Sequence, residues 1–424
     1  MRKRSSSAGS DSVDDGFRAV FRPILLLAVT VFIDLLGFGI VLPNLPQYIE
    51  QAVGRDHQHA AFIGSLLAAS YSLCQFLCAP WWGRMSDRVG RRPVILVSLI
   101  GIAISYLFFG FSNGNLWMLF AARLSAGFLS SASIGVAFAY VADVTTPQNR
   151  AKGMGMLGAC FGLGFMMGPA LGGWLGGIAI GLPAFVAAGM ALANFAASWF
   201  SLPESLSAEE RTRLASVERT SLPAMVRTVL SGPAAGLFGL TFLLTFGFAA
   251  MEQVFGFFLL ARGIADDTNQ PQRMGTIMAV IGLVGIIVQG GMIGRLVKAL
   301  GEGRVAQIGL AILILGYVAV TIPTTYGIGI FLAGIPLSAG RSLAGTSFSS
   351  LISRKADLGQ GLVLSVSQSF DALARTVGPL TAGFLFQRFG PPSPYYVSAA
   401  LTGFALLATF FLTGLLTVAS APAE

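Results

Sequence analysis

Charged side chains are scarce in this chain. They make up 11% of its 424 residues, whereas hydrophobic residues make up 54% and the mean hydropathy is +0.74. Soluble domains carry about 25% charged residues, so the composition excludes an ordinary soluble globular protein. It favours a protein whose surface faces lipid. The 53 glycines fit helices that pack closely within a membrane.

Cysteine and histidine are also rare. The three cysteines, Cys74, Cys78 and Cys160, lie in apolar stretches and have no metal-ligand spacing with histidine or with one another. The sequence therefore predicts neither a disulfide framework nor a metal site. It contains no Gly-Lys-Ser/Thr phosphate loop, so we predict no enzyme and no cofactor. The expected source of energy is an ion gradient, with a proton gradient as the first candidate, or the substrate's own gradient.

Long apolar runs dominate the chain instead. A bilayer crossing needs about 20 mostly apolar residues, and twelve such segments are present. Their approximate bounds are 24–46, 60–82, 94–112, 115–142, 153–175, 180–201, 235–260, 274–297, 305–324, 327–351, 360–386 and 393–418. We therefore predict an all-α integral membrane protein with twelve transmembrane helices.

Lysine and arginine are unevenly distributed between the connecting loops. With the N-terminus inside, twenty of them fall in inside segments and four in outside loops. Cytoplasmic loops accumulate positive charge, so both termini are predicted to be cytoplasmic, and the net charge of +8 needs no nucleic-acid partner. The apolar run after Arg22 is too long for a cleaved signal peptide.

The longest polar connection divides the spans into six and six. It is expected to be a linker that carries a short amphipathic helix on the inner membrane surface. The predicted organisation is a tail at 1–22, a six-helix half at 23–201, the linker at 202–234, a second half at 235–418, and a tail at 419–424.

Two short patterns recur in the same order in both halves. Arg123-Leu-Ser-Ala-Gly in span 4 returns as Arg341-Ser-Leu-Ala-Gly in span 10, 218 residues later. Gly168-Pro169 in span 5 returns as Gly378-Pro379 in span 11, 210 residues later. Pseudo-symmetric halves of this kind build many secondary transporters, with the substrate site between them near the middle of the membrane.

Residues 83–93, GRMSDRVGRRP, place five charges between spans 2 and 3; we call them the latch segment. With twelve spans and a central linker, this segment resembles the major facilitator superfamily. The run from Gly164 to Gly173 resembles the antiporter motif of the drug/proton antiporter branch, and residues 32–43 resemble span 1 of tetracycline/proton antiporters. The resemblance covers residues 24–418. Spans 3 and 9 lack the acids that tetracycline exporters carry there, so tetracycline itself is not the predicted substrate.

Asp34 is the first candidate for proton coupling. It lies about 15 Å into span 1 at 1.5 Å per residue, close to the middle of a core roughly 30 Å thick. An ionised aspartate there costs about 2.5–3.5 kcal/mol on insertion scales and usually serves transport. The alternative is a structural aspartate bonded to a neighbouring helix.

Further charges lie within the spans of both halves. Glu252, 218 residues after Asp34, is either its repeat counterpart and a second proton site or a residue near the outer surface. Asp371 and Arg375 share one helix face and form either a permanent ion pair or a pair that a proton opens. The resemblance implies that Arg123 assists proton transfer. An anchoring role on backbone carbonyls is the alternative, which we favour for Arg341.

Sparse polar groups among aromatics are typical of a cavity for an amphiphilic ligand. The predicted cavity residues are Asn44, Gln47, Tyr48, Tyr71, Gln75, Asn194, Gln289, Arg341, Gln368 and Arg375.

The remaining candidates concern movement rather than binding. The resemblance implies that the latch segment closes the inner ends of the two halves in the outward-open state. Asp87 would accept from helix amides near Gly361, and Arg91 would pair with Asp143. The set is Gly83, Asp87, Arg88, Gly90, Arg91, Arg92 and Asp143. The antiporter motif, Gly164, Gly168, Pro169, Gly172 and Gly173, predicts a close helix contact and a bend at the proline.

These expectations combine into one interpretation: a monomeric transporter in the cytoplasmic membrane that exports small amphiphilic compounds in exchange for protons by alternating access. A transporter of a sugar-like or other polar metabolite is the first alternative. A membrane sensor that keeps the fold without transporting is the second.

Overall fold

The computed structural model describes residues 8–216, 227, 235–355 and 360–412. Within these ranges the chain is helical and contains no strand. The helices of the first part are α1 (Ala8–Val41), α2 (Leu45–Val53), α3 (His57–Val89), α4 (Arg91–Gly110), α5 (Leu116–Val144), α6 (Pro147–Gly176), α7 (Leu182–Ser201) and α8 (Ala208–Ser216). Those of the second part are α9 (Ala235–Ala261), α10 (Gln270–Ile287), α11 (Ile293–Leu300), α12 (Glu302–Val320), α13 (Ile328–Lys355), α14 (Gln360–Phe389) and α15 (Ser393–Phe411).

The helices match the predicted spans closely. Among the described residues, eleven helical segments are long and apolar enough to cross a membrane. The predicted span 360–386 corresponds to α14, which carries Asp371, Arg375 and Arg388 and is not one of those eleven. The prediction of an all-α membrane protein is confirmed.

Two segments differ from the expectation. The N-terminal tail was predicted at 1–22, before a span that begins near residue 24, but α1 is one helix from Ala8 to Val41. The latch segment was expected to be a loop, but α3 continues to Val89 and α4 begins at Arg91. Gly90 alone interrupts the helices. Its φ of 109° is one that residues with a side chain rarely adopt. The charged residues are compatible with a helix, and only the glycine forces the turn.

The linker contains the predicted short helix, α8. Ser207 and Glu210 bond each other's backbone amides, at 3.1 Å and 3.0 Å, which is a capping box. These hydrogen bonds lower the pKa of Glu210. The position of this helix on the membrane surface stays a prediction, and residues 217–226 and 228–234 of the linker lie outside the described residues.

The chain divides into two compact units. One comprises Met1–Val41 with Cys74–Glu218, and its core is formed by α1, α4, α5 and α6 around Ile24, Val31 and Tyr140. The other comprises Leu42–Leu73 with Arg219–Glu424. In that unit α12 packs along α13 and α9 packs along α14. The predicted domain boundaries remain a prediction.

Equivalent contacts recur in the two units. A Cβ atom at Gly168 would lie 2.7 Å from the carbonyl oxygen of Leu36, and one at Gly378 would lie 2.8 Å from that of Phe246. Gly37 contacts the hydroxyl of Tyr106, and Gly247 that of Tyr317. The sequence separations of these matched residues are 210 or 211. The internal repeat is therefore present in the packing as well as in the sequence.

A cation–π contact repeats in the same way. The Arg123 guanidinium lies 5.7 Å from the ring centre of Phe38, and that of Arg341 lies 5.4 Å from Phe248. The rings are again 210 residues apart. At this register the residue equivalent to Asp34 is Leu244, so Glu252 is not the repeat counterpart of Asp34. The offset of 218 holds for spans 4 and 10 but not for spans 1 and 7.

Candidate functional site

Asp34 is buried between α1 and α5. This residue is only 4% exposed. The carboxylate oxygen Oδ2 accepts hydrogen bonds from the hydroxyls of Ser130 at 3.0 Å and Ser133 at 2.5 Å. Gln75 of α3 donates to the Ser130 hydroxyl at 3.2 Å. A buried carboxyl group with such partners can hold a proton or give it up, because the hydroxyls reorient to donate or accept.

Packing against α6 fixes the helix that carries Asp34. Gly164 lies against the carbonyl group of Phe32, and Gly172 lies against that of Ile40. These two contacts are one turn before and one turn after the contact of Gly168 described above. Pro169 packs on Gly39. The predicted small-residue contact of the antiporter motif is therefore present, and Gly173 is buried on the same helix. The predicted bend at Pro169 stays a prediction, since α6 is continuous through that residue.

Arg123 lies close to the same helix but contacts aromatic rings. It is 3% exposed, and its guanidinium lies over Phe38 and, at 5.4 Å, over Phe109. The hydrogen-bond partners of Asp34 are the two serines named above. A direct effect of Arg123 on Asp34 therefore stays a prediction, and the cation–π contacts account for how the charge is tolerated in this part of the core.

Two predicted cavity residues of this unit are engaged in hydrogen bonds. Gln75 extends the Asp34 cluster through Ser130, as described. Asn194 of α7 is 4% exposed and donates to the Thr30 hydroxyl at 2.8 Å, one turn before Asp34 on α1. The cluster on α1 is thus contacted by side chains of α3, α5 and α7.

A second set of charges lies in the other unit. Glu252 of α9 is 9% exposed, and the guanidinium groups of Arg375 and Arg341 interact with it electrostatically. Arg341 also interacts with Asp371, whose carboxylate accepts a hydrogen bond from Thr245 at 2.8 Å. The structure thus brings four predicted charged residues together, while the specific pairing of Asp371 with Arg375 stays a prediction.

A π-helical turn lies beside this group. Residues Val288–Met292 connect α10 and α11, and Gln289 in this turn donates to the Ser342 hydroxyl at 3.3 Å. Ser342 follows Arg341 directly. π-turns inside helices are frequent at functional sites. Gln289 is exposed, and its place in a substrate cavity stays a prediction. The side chain of Gln368 lies outside the described residues.

Four other predicted cavity residues follow α1. Gln47 donates to the backbone carbonyl of Asp267 at 2.5 Å, in the connection between α9 and α10. Asn44, Tyr48 and Tyr71 are buried, with exposures of 1%, 2% and 7%. Because Gln47 binds a loop predicted to be outside, it marks the outer end of span 1 rather than its middle.

The latch segment carries a chain of ion pairs. Arg91 pairs with Asp87 at 2.8 Å and with Asp143 at 3.0 Å. Arg92 donates to the carbonyl of Trp199 at 2.7 Å, and its guanidinium lies 5.9 Å from the ring of that residue. The predicted contact of Arg91 with Asp143 is present. The contact of Asp87 near Gly361 lies outside the residues whose surroundings are described.

Arg88 and Gly83 complete the predicted latch residues. Arg88 lies in the last turn of α3 and is exposed. The carbonyl of Gly83 accepts a hydrogen bond from the Ser86 hydroxyl at 2.9 Å, and Ser86 in turn accepts from Arg91 at 2.6 Å. Gly83 therefore lies inside a helix and not in a tight turn.

Three residues with central contacts were not predicted from the sequence. Ser130 and Ser133 bind Asp34, and Glu204 binds the latch segment. The run Ser130-Ser131-Ala-Ser133 in an apolar span was a usable signal for the first two, because hydroxyls are the common partners of a buried carboxylate. Glu204 carried no signal, since an acid in a polar linker is ordinarily solvated.

Comparisons with known proteins agree with this architecture. The profile described as Major Facilitator Superfamily matches residues 27–360 and 241–423. Tetracycline resistance protein, class C, of Escherichia coli is 33% identical over 370 residues, which are 84% of this chain and 88% of that protein. Multidrug resistance protein 2 of Bacillus subtilis (strain 168) is 29% identical over 368 residues, 85% of this chain and 88% of that protein.

A solved structure adds a more distant relative. The crystal structure of the human organic anion transporter MFSD10 (TETRAN) is similar with a TM-score of 0.67 and 26% identity. The match covers 92% of this chain and 99% of that one.

Proposed function

Because the chain belongs to the major facilitator superfamily, we propose that this multi-pass membrane transporter is a proton-coupled antiporter that exports small amphiphilic compounds. The observation that carries the proposal is Asp34, a buried carboxyl group held by two hydroxyls within a predicted span. Intramembrane acids that face such partners commonly serve as proton relays. The similarity to multidrug and tetracycline resistance proteins supports export as the direction.

The coupling follows from competition for one charge. A deprotonated Asp34 offers a negative charge inside the membrane, which favours a cationic or amphiphilic substrate nearby. A proton on Asp34 removes that charge and favours release of the substrate. Alternating access then exchanges one for the other, as the two halves of such transporters rock around a central site. The proposed setting is the cytoplasmic membrane, with both termini inside and the chain acting as a monomer.

Transport assays in everted vesicles test the proposal. A pH gradient is set across the vesicle membrane, and a panel of amphiphilic cations is added one at a time. We expect at least one compound to collapse the gradient with the wild-type protein, and we expect Asp34→Asn to abolish this effect, because the amide carries no titrating proton.

The matched control is Asp56→Asn. Asp56 is exposed, and its Oδ1 atom caps α3 by accepting hydrogen bonds from the amides of Gln58 and His59. The side-chain oxygen of an asparagine can accept the same hydrogen bonds. It is expected to transport like the wild type. Full proton-coupled transport by Asp34→Asn would exclude Asp34 as the carrier.

Export of organic anions is a second candidate. The clustered Arg341 and Arg375 in the second unit favour it, and the structurally similar human protein is an organic anion transporter. An anionic panel in the same vesicles separates the two: this candidate predicts that anions, and not cations, collapse the gradient and that Arg341→Gln removes the response.

A further inference from the structure

We propose that Glu204 is a positioning residue of the latch segment, and that the start of the central linker is therefore part of the latch. The effect on transport that we expect rests on the proposed function. The contacts of Glu204 do not depend on it, and they all lie within one unit of the chain. Glu204 lies three residues after the end of α7, at the beginning of the linker. It is 113 residues away in sequence from the Arg91 amide that it contacts.

The first step is the helix end that Glu204 caps. The N–H groups of the first turn of a helix have no partner within the helix, and Gly90, the residue before α4, has no side chain to supply one. Glu204 supplies both oxygens: Oε1 accepts from the Arg91 amide at 2.8 Å and Oε2 from the Arg92 amide at 3.1 Å. A negative charge at this end of a helix is favourable.

The second step is that the carboxylate is itself held in place. Its Oε1 atom also accepts from the amides of Ser205 at 3.0 Å and Leu206 at 3.2 Å. The carbonyl of Pro203 accepts a hydrogen bond from the buried Tyr140 of α5 at 2.9 Å. Glu204 is therefore half-buried and held by four backbone amides, whereas an ordinary linker acid is fully solvated.

The third step connects Glu204 to the ion pairs of the latch segment. The Ser205 hydroxyl donates to Oδ2 of Asp143 at 3.1 Å, the same oxygen that accepts from Arg91 at 3.0 Å. Arg91 is thus held through its amide by Glu204 and through its side chain by Asp143. Seven residues after Glu204, Arg211 of α8 donates to the Val89 carbonyl at 3.3 Å.

The fourth step is the glycine at the break. A Cβ atom at Gly90 would lie 2.8 Å from the carboxyl carbon of Glu204. Gly90 is thus required by its φ and by the close approach of this carboxylate. Movement of the latch segment consequently requires movement of residues 203–206, which links the segment to the linker.

Backbone hydrogen exchange tests the geometry without any substrate. In the purified full-length protein, Glu204→Ala is expected to speed exchange of peptides that contain the Arg91 and Arg92 amides by about tenfold, the usual scale for loss of a cap. Glu209→Ala is the control, because Glu209 is exposed on the first turn of α8. Unchanged exchange in Glu204→Ala overturns the proposal. Glu204→Gln, which keeps the side-chain volume, replaces Glu204→Ala if the latter does not fold.

Transport kinetics test the functional consequence. A positioning role predicts that Glu204→Ala lowers the maximal transport rate while the substrate KM stays at the wild-type value, because the substrate site is not altered. Glu204→Gln, which retains one acceptor oxygen, should lie between Glu204→Ala and the wild type. Faster exchange with an unchanged maximal rate would make the cap purely structural and overturn the positioning role. Failure of the wild type to transport would refute the proposed function and leave the exchange result to decide the geometry.

Discussion

At the scale of single residues, Gly90 and Gly54 offer a matched comparison. Both have positive φ angles, 109° and 93°, but a Cβ atom at Gly54 would meet nothing within 4 Å. We expect Gly54→Ala to cost only backbone strain, about 1–3 kcal/mol. Gly90→Ala should cost more, because the methyl group also displaces the Glu204 carboxylate.

Thermal unfolding in detergent measures this difference. The melting temperature should fall further for Gly90→Ala than for Gly54→Ala, relative to the wild type. Equal decreases would mean that the Glu204 contact adds nothing to the requirement for glycine.

Residue identity alone predicted part of the site. Asp34 stood out because an acid in an apolar span is rare and costly, and the pairing of Arg91 with Asp143 followed from charge. The partners Ser130 and Ser133 could not be selected in this way, since serines are common in membrane helices and often bond their own backbone. Ser133 does so here as well, to the carbonyl of Ser130 at 3.1 Å.

At the scale of elements, the contact of α1 with α6 depends on glycine. Gly168 approaches the backbone of α1 at Leu36, whereas Gly158 on the same helix is exposed and has open space around its Cα. Gly168→Ala is expected to destabilise the protein by about 1–3 kcal/mol through overpacking. Gly158→Ala should be neutral or stabilising by up to about 1 kcal/mol, because alanine favours the helix.

Melting temperatures in detergent and the vesicle assay both bear on this contact. A loss of transport in Gly168→Ala with a wild-type melting temperature would point to a role of the α1–α6 contact in movement. Wild-type behaviour of Gly168→Ala in both measurements would contradict the close packing.

The latch segment illustrates a limit of sequence patterns for elements. Its charges predicted a loop, because charged residues usually end a membrane span. The helix continues to Val89 because its basic residues are also good helix formers and the segment lies at the end of the span. Only Gly90, with its positive φ, marks the true boundary.

At the scale of the whole molecule, the distribution of positive charge predicts the orientation in the membrane. Cysteine labelling tests this in a variant without Cys74, Cys78 and Cys160. A membrane-impermeant maleimide should label Asn113→Cys, in the connection between α4 and α5, in intact cells. Ser207→Cys, in the linker, should be labelled only after the membrane is opened. Labelling of Ser207→Cys in intact cells would reverse the orientation.

The sequence by itself determined the class of protein, the approximate bounds of the apolar spans, and the recurrence of short motifs along the chain. These follow from apolar length, charge bias and repeated motifs, which are local properties of the chain. The identification of the family depended on the same kind of local pattern.

Only the tertiary structure decided the register of the repeat and the partners of the key side chains. The contacts of Gly168 with Leu36 and of Gly378 with Phe246 show that equivalent residues of spans 1 and 7 are 210 positions apart. Glu252, 218 positions after Asp34, is therefore not its equivalent. Glu204 reached the latch segment across 113 residues of chain. Such contacts join residues that are distant in sequence, and no local pattern records which of many similar side chains the fold brings together.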